Sequence, residues 1–269
     1  MSDETKTGGG LIVAESYLAL AGTDGGGGLA AAKEANGEDL TPSMLTRVKT
    51  PSGGATTWEI DDGLGNVESV REIAGAFVLY RKRATLWGTE GQPVEGVKPY
   101  LIVDDHPAMA RGYLVPGGDP GDLDTDLIDC CRYDDGSGDI DVRDKANGGQ
   151  FPYAEWGSTS RDGSRAKRLK EQRLVGILRP GDLFPVILTI QPGSLQGFKA
   201  VVARLTKPHY YYAVRLTLTK ATSGAGQPFS QVRIAVAGQF PEATAARLKA
   251  EYVDPLTMAF SQRMVAIDE

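Results

Sequence analysis

This sequence predicts a mainly β fold of the α+β kind, made of short antiparallel strands with one internal helix and a C-terminal helix. Three observations lead there. The 269 residues include 34 glycines and 15 prolines, a high density of turn formers with no G-X-Y repeat. Apolar runs are short, and even FPVILTI (Phe184 to Ile190) falls far below the roughly 18 residues that a membrane-crossing helix needs. Two late segments alternate in polarity, through Tyr212, Val214, Leu216 and Leu218 and through Val232, Ile234 and Val236. At 41% apolar and 24% charged residues, the composition supports a packed core.

Taken in order, residues 1–40 carry Gly8-Gly9-Gly10 and Gly25 to Gly28 around an apolar stretch, which predicts a flexible glycine-rich arm. The body is expected over 41–240. Arg47 to Thr50 and Thr56 to Ile60 are β-prone and separated by the turn Pro51-Ser52-Gly53-Gly54. Glu72 to Trp87 is rich in β-formers, and Lys98 to Val103 is a further strand. Residues 104–160 are dense in Gly, Pro and Asp without a period, which predicts a long insertion. Leu174–Leu178 and Leu183–Ile190 flank Arg179-Pro180-Gly181-Asp182 and predict a hairpin. Ser194 is placed to cap a helix whose Leu195, Phe198, Val201, Val202 and Leu205 share a face. Tyr210–Thr219 and Phe229–Ala237 predict a second hairpin. The stretch 241–269 predicts a helix to Tyr252, with Ala245, Leu248 and Tyr252 inward, and a short tail. Short antiparallel strands with a helix between them fit a small, OB-like, partly open barrel, although another barrel or a sandwich fits the same pattern.

Net charge is −6 and the isoelectric point about 5.1, which argues against a generic polyanion binder. The charge is segregated, however. Ten aspartates and two arginines lie between Asp119 and Asp144, and seven basic residues against two acidic ones lie between Arg161 and Arg179. Arg81-Lys82-Arg83 forms a smaller basic run. Phe151, Tyr153 and Trp156 stand just before the larger one. Backbone phosphates need mobile cations and bases need flat surfaces, so this pattern points to single-stranded nucleic acid. Phe198-Lys199 and the consecutive Tyr210, Tyr211 and Tyr212 form a second candidate platform.

Little points to catalysis. Only His106 and His209 offer imidazoles, and neither a GxSxG nor a Walker A pattern occurs. Asp135-Gly136-Ser137-Gly138-Asp139 lacks the spacing of an EF-hand loop. The adjacent Cys130 and Cys131 rarely form a disulfide in such a pairing and cannot alone make a four-ligand zinc site. The expectation is a binding protein without a cofactor or metal. The polar N-terminus predicts no secretory leader, and a reduced, cytoplasmic setting follows as the default.

RVKTPSGGATTWEI (47–60), WGSTSRDGSRAKRLKEQRLVGILRPGDLFPVIL (156–188) and PGSLQGFKAVVARL (192–205), followed by a tyrosine-led strand, resemble in their order the motifs of phage and mobile-element single-stranded-DNA-binding proteins. The resemblance covers about residues 45–240. It implies an OB-type core, no enzymatic activity and a role in phage replication or recombination. The chain departs from the group in lacking the Cys-x-x-Cys before the GS segment and the cysteine in the basic run, so its zinc knuckle is not implied here. The aromatics Phe151, Tyr153 and Trp156 would hold that loop by packing instead. A long acidic tail is also missing, with only Asp268 and Glu269 at the end.

Combining pattern and resemblance, Arg161, Arg165, Lys167, Arg168, Lys170 and Arg173 are expected to contact phosphates, with Arg81, Lys82, Arg83 and Lys199 extending the track. Trp87, Tyr153, Trp156 and Tyr211 are expected to stack on bases. The expected partner is single-stranded DNA, with recombination or replication proteins and a homo-oligomer as further candidates and no membrane. The rival readings are a virion structural or assembly protein and a metal-dependent nuclease built on Asp134, Asp135 and Asp139.

Overall fold

The structure is a computed structural model and describes residues 28–29, 34, 37, 40–61, 65–88, 97–104, 111–143, 151–158, 166–224 and 226–261. The expected arm, 1–40, lies almost entirely outside them. In chain order the elements are β1 (Arg47–Val48), β2 (Trp58–Asp61), β3 (Val67–Val70), β4 (Glu72–Leu86), β5 (Leu101–Val103), β6 (Arg111–Leu114), α1 (Thr125–Asp129), β7 (Ile140–Asp141), β8 (Lys170–Leu178), β9 (Val186–Ile190), α2 (Pro192–Val202), β10 (Tyr212–Thr222), β11 (Pro228–Gln239), α3 (Glu242–Leu248) and α4 (Asp254–Ser261). No helix among the described residues is long and apolar enough to cross a membrane.

The fold is mixed α/β with strands in the majority. Nine strands join one sheet in the order β1-β9-β8-β4-β5-β6-β7, with β10 also on β4 and β11 on β10, while β2 and β3 pair separately. Among the described residues no strand closes this ladder into a barrel. Strand β4, 15 residues long, pairs antiparallel with β10 through 72–76 and with β5 through 84–86. The described residues divide into two compact units, the first made of those up to Tyr80 together with those from Val175 onward and the second of those within Arg81–Leu174.

In the first unit, the core draws Ile73 and Phe77 from β4, Ile177 from β8, Leu188 from β9, Leu195 and Phe198 from α2, and Val214, Leu216 and Leu218 from β10. The β10–β11 hairpin pairs antiparallel from Tyr212↔Gln239 to Thr222↔Pro228, with a bulge between Ala213 and Val214. Its outward Arg215 bridges to Glu72 on the neighbouring β4 at 3.0 Å. Strands β4 and β8 run so close that a Cβ on Gly75 would lie 2.0 Å from the Leu178 carbonyl oxygen. Helix α2 starts with Pro192 in its first turn, and Ser194 is not the cap. Its buried hydroxyl instead accepts a hydrogen bond from the Val232 N–H at 2.9 Å, fastening α2 to β11. The C-terminal helix does not stop at Tyr252. A π turn over Lys249–Val253 leads into α4, and the Lys249–Asp254 ion pair at 2.7 Å spans that turn. Buried Leu256, Ala259 and Phe260 supply the reason to continue.

In the second unit, the segment read from the sequence as an insertion supplies much of a second core. Strands β5, β6 and β7 form an antiparallel meander, with Leu101↔Leu114 and Gly112↔Ile140 in register. Their side chains pack with Leu86, Ile128, Phe151, Tyr153 and Leu169. The aspartates that break the sequence period are turn and cap formers. The Asp124 carboxylate accepts from the Asp126 and Leu127 N–H groups at the start of α1, and Asp119 and Asp135 accept from Gly121 and Ser137.

Candidate nucleic-acid interface

In the second unit, Phe151 and Tyr153 are buried anchors, and a single 3-10 turn over Pro152–Ala154 carries the chain past them to the surface. Trp156 emerges there 78% exposed, the most exposed of the large apolar side chains described. Gly157 follows with φ +86°, a conformation that favours glycine, and its N–H donates to the Ala166 carbonyl at 3.2 Å. The Ser158 hydroxyl donates to the Glu155 carbonyl (2.7 Å) and accepts from the Arg168 N–H (2.9 Å). Leu169 N–H donates to the Tyr153 carbonyl at 2.9 Å. These bonds hold the two ends of the basic segment together and bring the Lys167 ammonium to 5.4 Å from the Trp156 ring centroid. Lys170 is half-buried, and burial, followed by Arg168, pushes its pKa down. Arg161 and Arg165 lie outside the described residues.

Several expected contacts are corrected here. Arg168 is buried, pairs with the Asp122 carboxylate, donates to the Gly88 carbonyl and lies 5.7 Å from the Tyr153 ring centroid. Arg173 is buried too, with Glu171 at 3.9 Å and the Gln172 carbonyl at 2.7 Å. Arg81 and Arg83 point inward from β4, Arg81 with Asp104 at 3.4 Å, and only Lys82 between them is exposed. Alternation along a strand is the cause, since positions two apart share a face. Trp87 and Tyr153 are core residues at 3% and 8% exposure, and the Tyr153 hydroxyl accepts from the Asp124 N–H at 2.7 Å. Of the expected groups, Trp156, Lys82, Lys167 and Lys170 therefore remain at the surface in this unit.

In the first unit, the tyrosine triplet is split by a 3-10 turn over His209–Tyr211. Tyr212 turns inward, and its hydroxyl accepts from the Thr206 and Lys207 N–H groups at 3.2 Å. Tyr210 and Tyr211 stay half-exposed with ring centroids 5.2 Å apart, and the Lys207 ammonium lies 4.6 Å from the Tyr211 ring. The Tyr211 hydroxyl donates to Glu242, which pushes its pKa up to about 12. Lys199 is half-buried on α2. Lys207, four residues before Tyr211, is not singled out by the sequence, and only the fold brings its ammonium against the Tyr211 ring. His209 itself is largely buried against Phe77 and Tyr80, with Nε2 unpartnered, and burial lowers its pKa to about 4.

The aspartate-rich segment is partly paired within the second unit. Arg111 reaches Asp135 at 2.8 Å and Asp139 at 3.3 Å and lies 4.2 Å over the Tyr133 ring. Arg132 pairs with Asp129 at 2.6 Å, and Arg143 pairs with Asp141. Hydrogen bonds from Ser137 and Arg111 hold the Asp135 carboxyl well below the usual range. Among the described residues no group of three or more His, Cys, Asp or Glu is placed to hold a metal ion. Comparison with known proteins finds no matching family model, no matching curated protein and no matching solved structure.

Proposed function

We propose that this protein binds single-stranded DNA without reading its sequence, in the setting of phage replication or recombination, and that it does so without catalysis. The observation that carries the reading is Trp156, a large ring left 78% exposed by anchored neighbours, with the Lys167 ammonium at 5.4 Å and the basic segment following directly. An exposed indole beside a cation loses contact with water and gains a stacked base when a strand binds, an exchange of about 1–3 kcal/mol per base. Lys170 and Lys82 add phosphate contacts in the same unit. The half-exposed Tyr210–Tyr211 pair with Lys207 offers the same chemistry in the other unit. The resemblance to phage single-stranded-DNA-binding proteins supports the substrate class, and an OB-like derivation of the sheet belongs to the same proposal.

The test uses the protein's own fluorescence. Trp58 and Trp87 are 0% and 3% exposed, so of the three tryptophans only Trp156 meets a ligand at the surface. Titration with oligo-dT is expected to quench emission saturably at low salt, to weaken as salt rises, and to exceed the effect of duplex of equal length. Absence of saturable binding to single strands at low salt would overturn the reading.

A further inference from the structure

Cys130 and Cys131 are the chain's only cysteines and play no part in the proposed interface. They follow the last residue of α1, where their sulfurs lie 3.8 Å apart. Cys130 is exposed and Cys131 half-exposed, and both thiols donate to the Leu127 carbonyl, at 3.1 and 3.6 Å. Consecutive Cα atoms across a trans peptide are about 3.8 Å apart. That is short of the roughly 4.4–6.8 Å found in disulfides, so closing the pair is strained and readily reversed by thiols. In the structure both are free thiols turned toward the same carbonyl, that of Leu127.

The separation matches a specific demand. Two thiolates bound at ~2.3 Å to one tetrahedral ion lie about 3.8 Å from each other. Even with Arg111 and Arg168 paired to it beside its own Arg132 and Arg143, the surrounding 119–144 segment holds ten aspartates against four arginines, an excess of negative charge that favours a cation there. We propose that Cys130 and Cys131 form a bidentate thiolate site for a soft, tetrahedrally coordinated divalent cation of the zinc and cadmium class. Binding forms two metal–sulfur bonds and releases the two thiol protons, giving a neutral dithiolate complex without any redox change. No third His, Cys, Asp or Glu among the described residues completes the set, which leaves the other two positions to water. The site is thus open and exchangeable, unlike a four-ligand structural centre.

Cadmium is the probe, because thiolate-to-cadmium charge transfer absorbs in the ultraviolet. Titration of the full chain, reduced with a phosphine, is expected to saturate the band at one cadmium per chain. Cys130→Ser and Cys131→Ser are each expected to abolish the band and weaken binding by roughly tenfold or more, since either leaves a single tether. Circular dichroism checks that both variants keep the fold. A missing band at saturating cadmium, or a band that survives either serine, would overturn the proposal. So would quantitative conversion of the pair by oxidised glutathione to a disulfide, seen as an intact mass lighter by two hydrogens. None of these readouts depends on nucleic-acid binding.

Discussion

Burial of His209 makes the protein's stability depend on pH in a calculable window. The imidazole packs 5.1 Å from Phe77 and 6.2 Å from Tyr80, centroid to centroid, and only its Val78 contact favours the charged form. Its folded pKa is about 4 against an ordinary 6.5. Above pH 6.5 the ring is neutral in both states and contributes nothing pH-dependent. Below that, the unfolded chain takes up a proton that the folded chain refuses, so stability falls as pH drops from 6.5 to 4 and levels off beneath. At about 1.4 kcal/mol per pKa unit the full loss is roughly 3 kcal/mol, with about 1.4 kcal/mol already gone at pH 5.5. Urea unfolding at a series of pH values between 7.5 and 4, on the wild type and on His209→Gln, isolates this contribution, because carboxylate effects cancel in the difference. The glutamine amide keeps a donor for the Val78 carbonyl and does not titrate. The wild type is expected to lose about 1.4 kcal/mol more than the variant between pH 7.5 and 5.5. Parallel stability curves for the two proteins would refute the assignment of a buried, neutral imidazole.

Trp156→Ala should weaken oligo-dT binding by about 1–3 kcal/mol while leaving urea stability within about 0.5 kcal/mol, since its side chain is exposed; unchanged affinity by anisotropy would remove Trp156 from the interface. Arg168→Ala and Lys167→Ala are expected to separate. The arginine variant should lose about 3 kcal/mol or more of stability by stranding Asp122 and the Gly88 carbonyl, and the lysine variant should lose affinity alone; equal stability of the two would contradict the burial. Gly75→Ala places a carbon 2.0 Å from the Leu178 oxygen and should cost about 3 kcal/mol or more by forcing β4 and β8 apart, measured as the shift in urea midpoint.

The long elements were legible because their signals are local. Glu72 to Trp87 reads as a strand and β4 spans Glu72–Leu86, the β10–β11 hairpin falls where a turn interrupts two apolar runs, and β8 and β9 lie side by side in the sheet as the earlier pair of runs predicts. The second core was not legible. Strands β6 and β7 are four and two residues long, too short to show a period, and they are recruited by Leu101, Ile128 and Phe151 from distant positions. The arginines misled for a related reason. A run such as Arg81-Lys82-Arg83 reads as an exposed patch until the strand assigns alternate residues to opposite faces. Helix α4 was missed because a π turn shifts the phase of its apolar face relative to α3.

The way the second unit spends its cations bears on what the interface recognises. Four of its described arginines are answered by carboxylates of the aspartate-rich segment: Arg168 by Asp122, Arg111 by Asp135 and Asp139, Arg132 by Asp129, Arg143 by Asp141. A planar guanidinium offers several donors in a fixed fork and tolerates burial when carboxylates and carbonyls meet it. Among the described residues, the expected cations left at the surface beside Trp156 are lysines: Lys167 at the ring and Lys170 half-buried nearby in sequence. An ammonium is a point charge without the bidentate geometry that picks out a guanine edge. An indole stacks on any base. On the proposed reading, Trp156, Lys167 and Lys170 would hold a strand by its phosphates and ring faces, and these three groups offer little means to prefer one sequence over another.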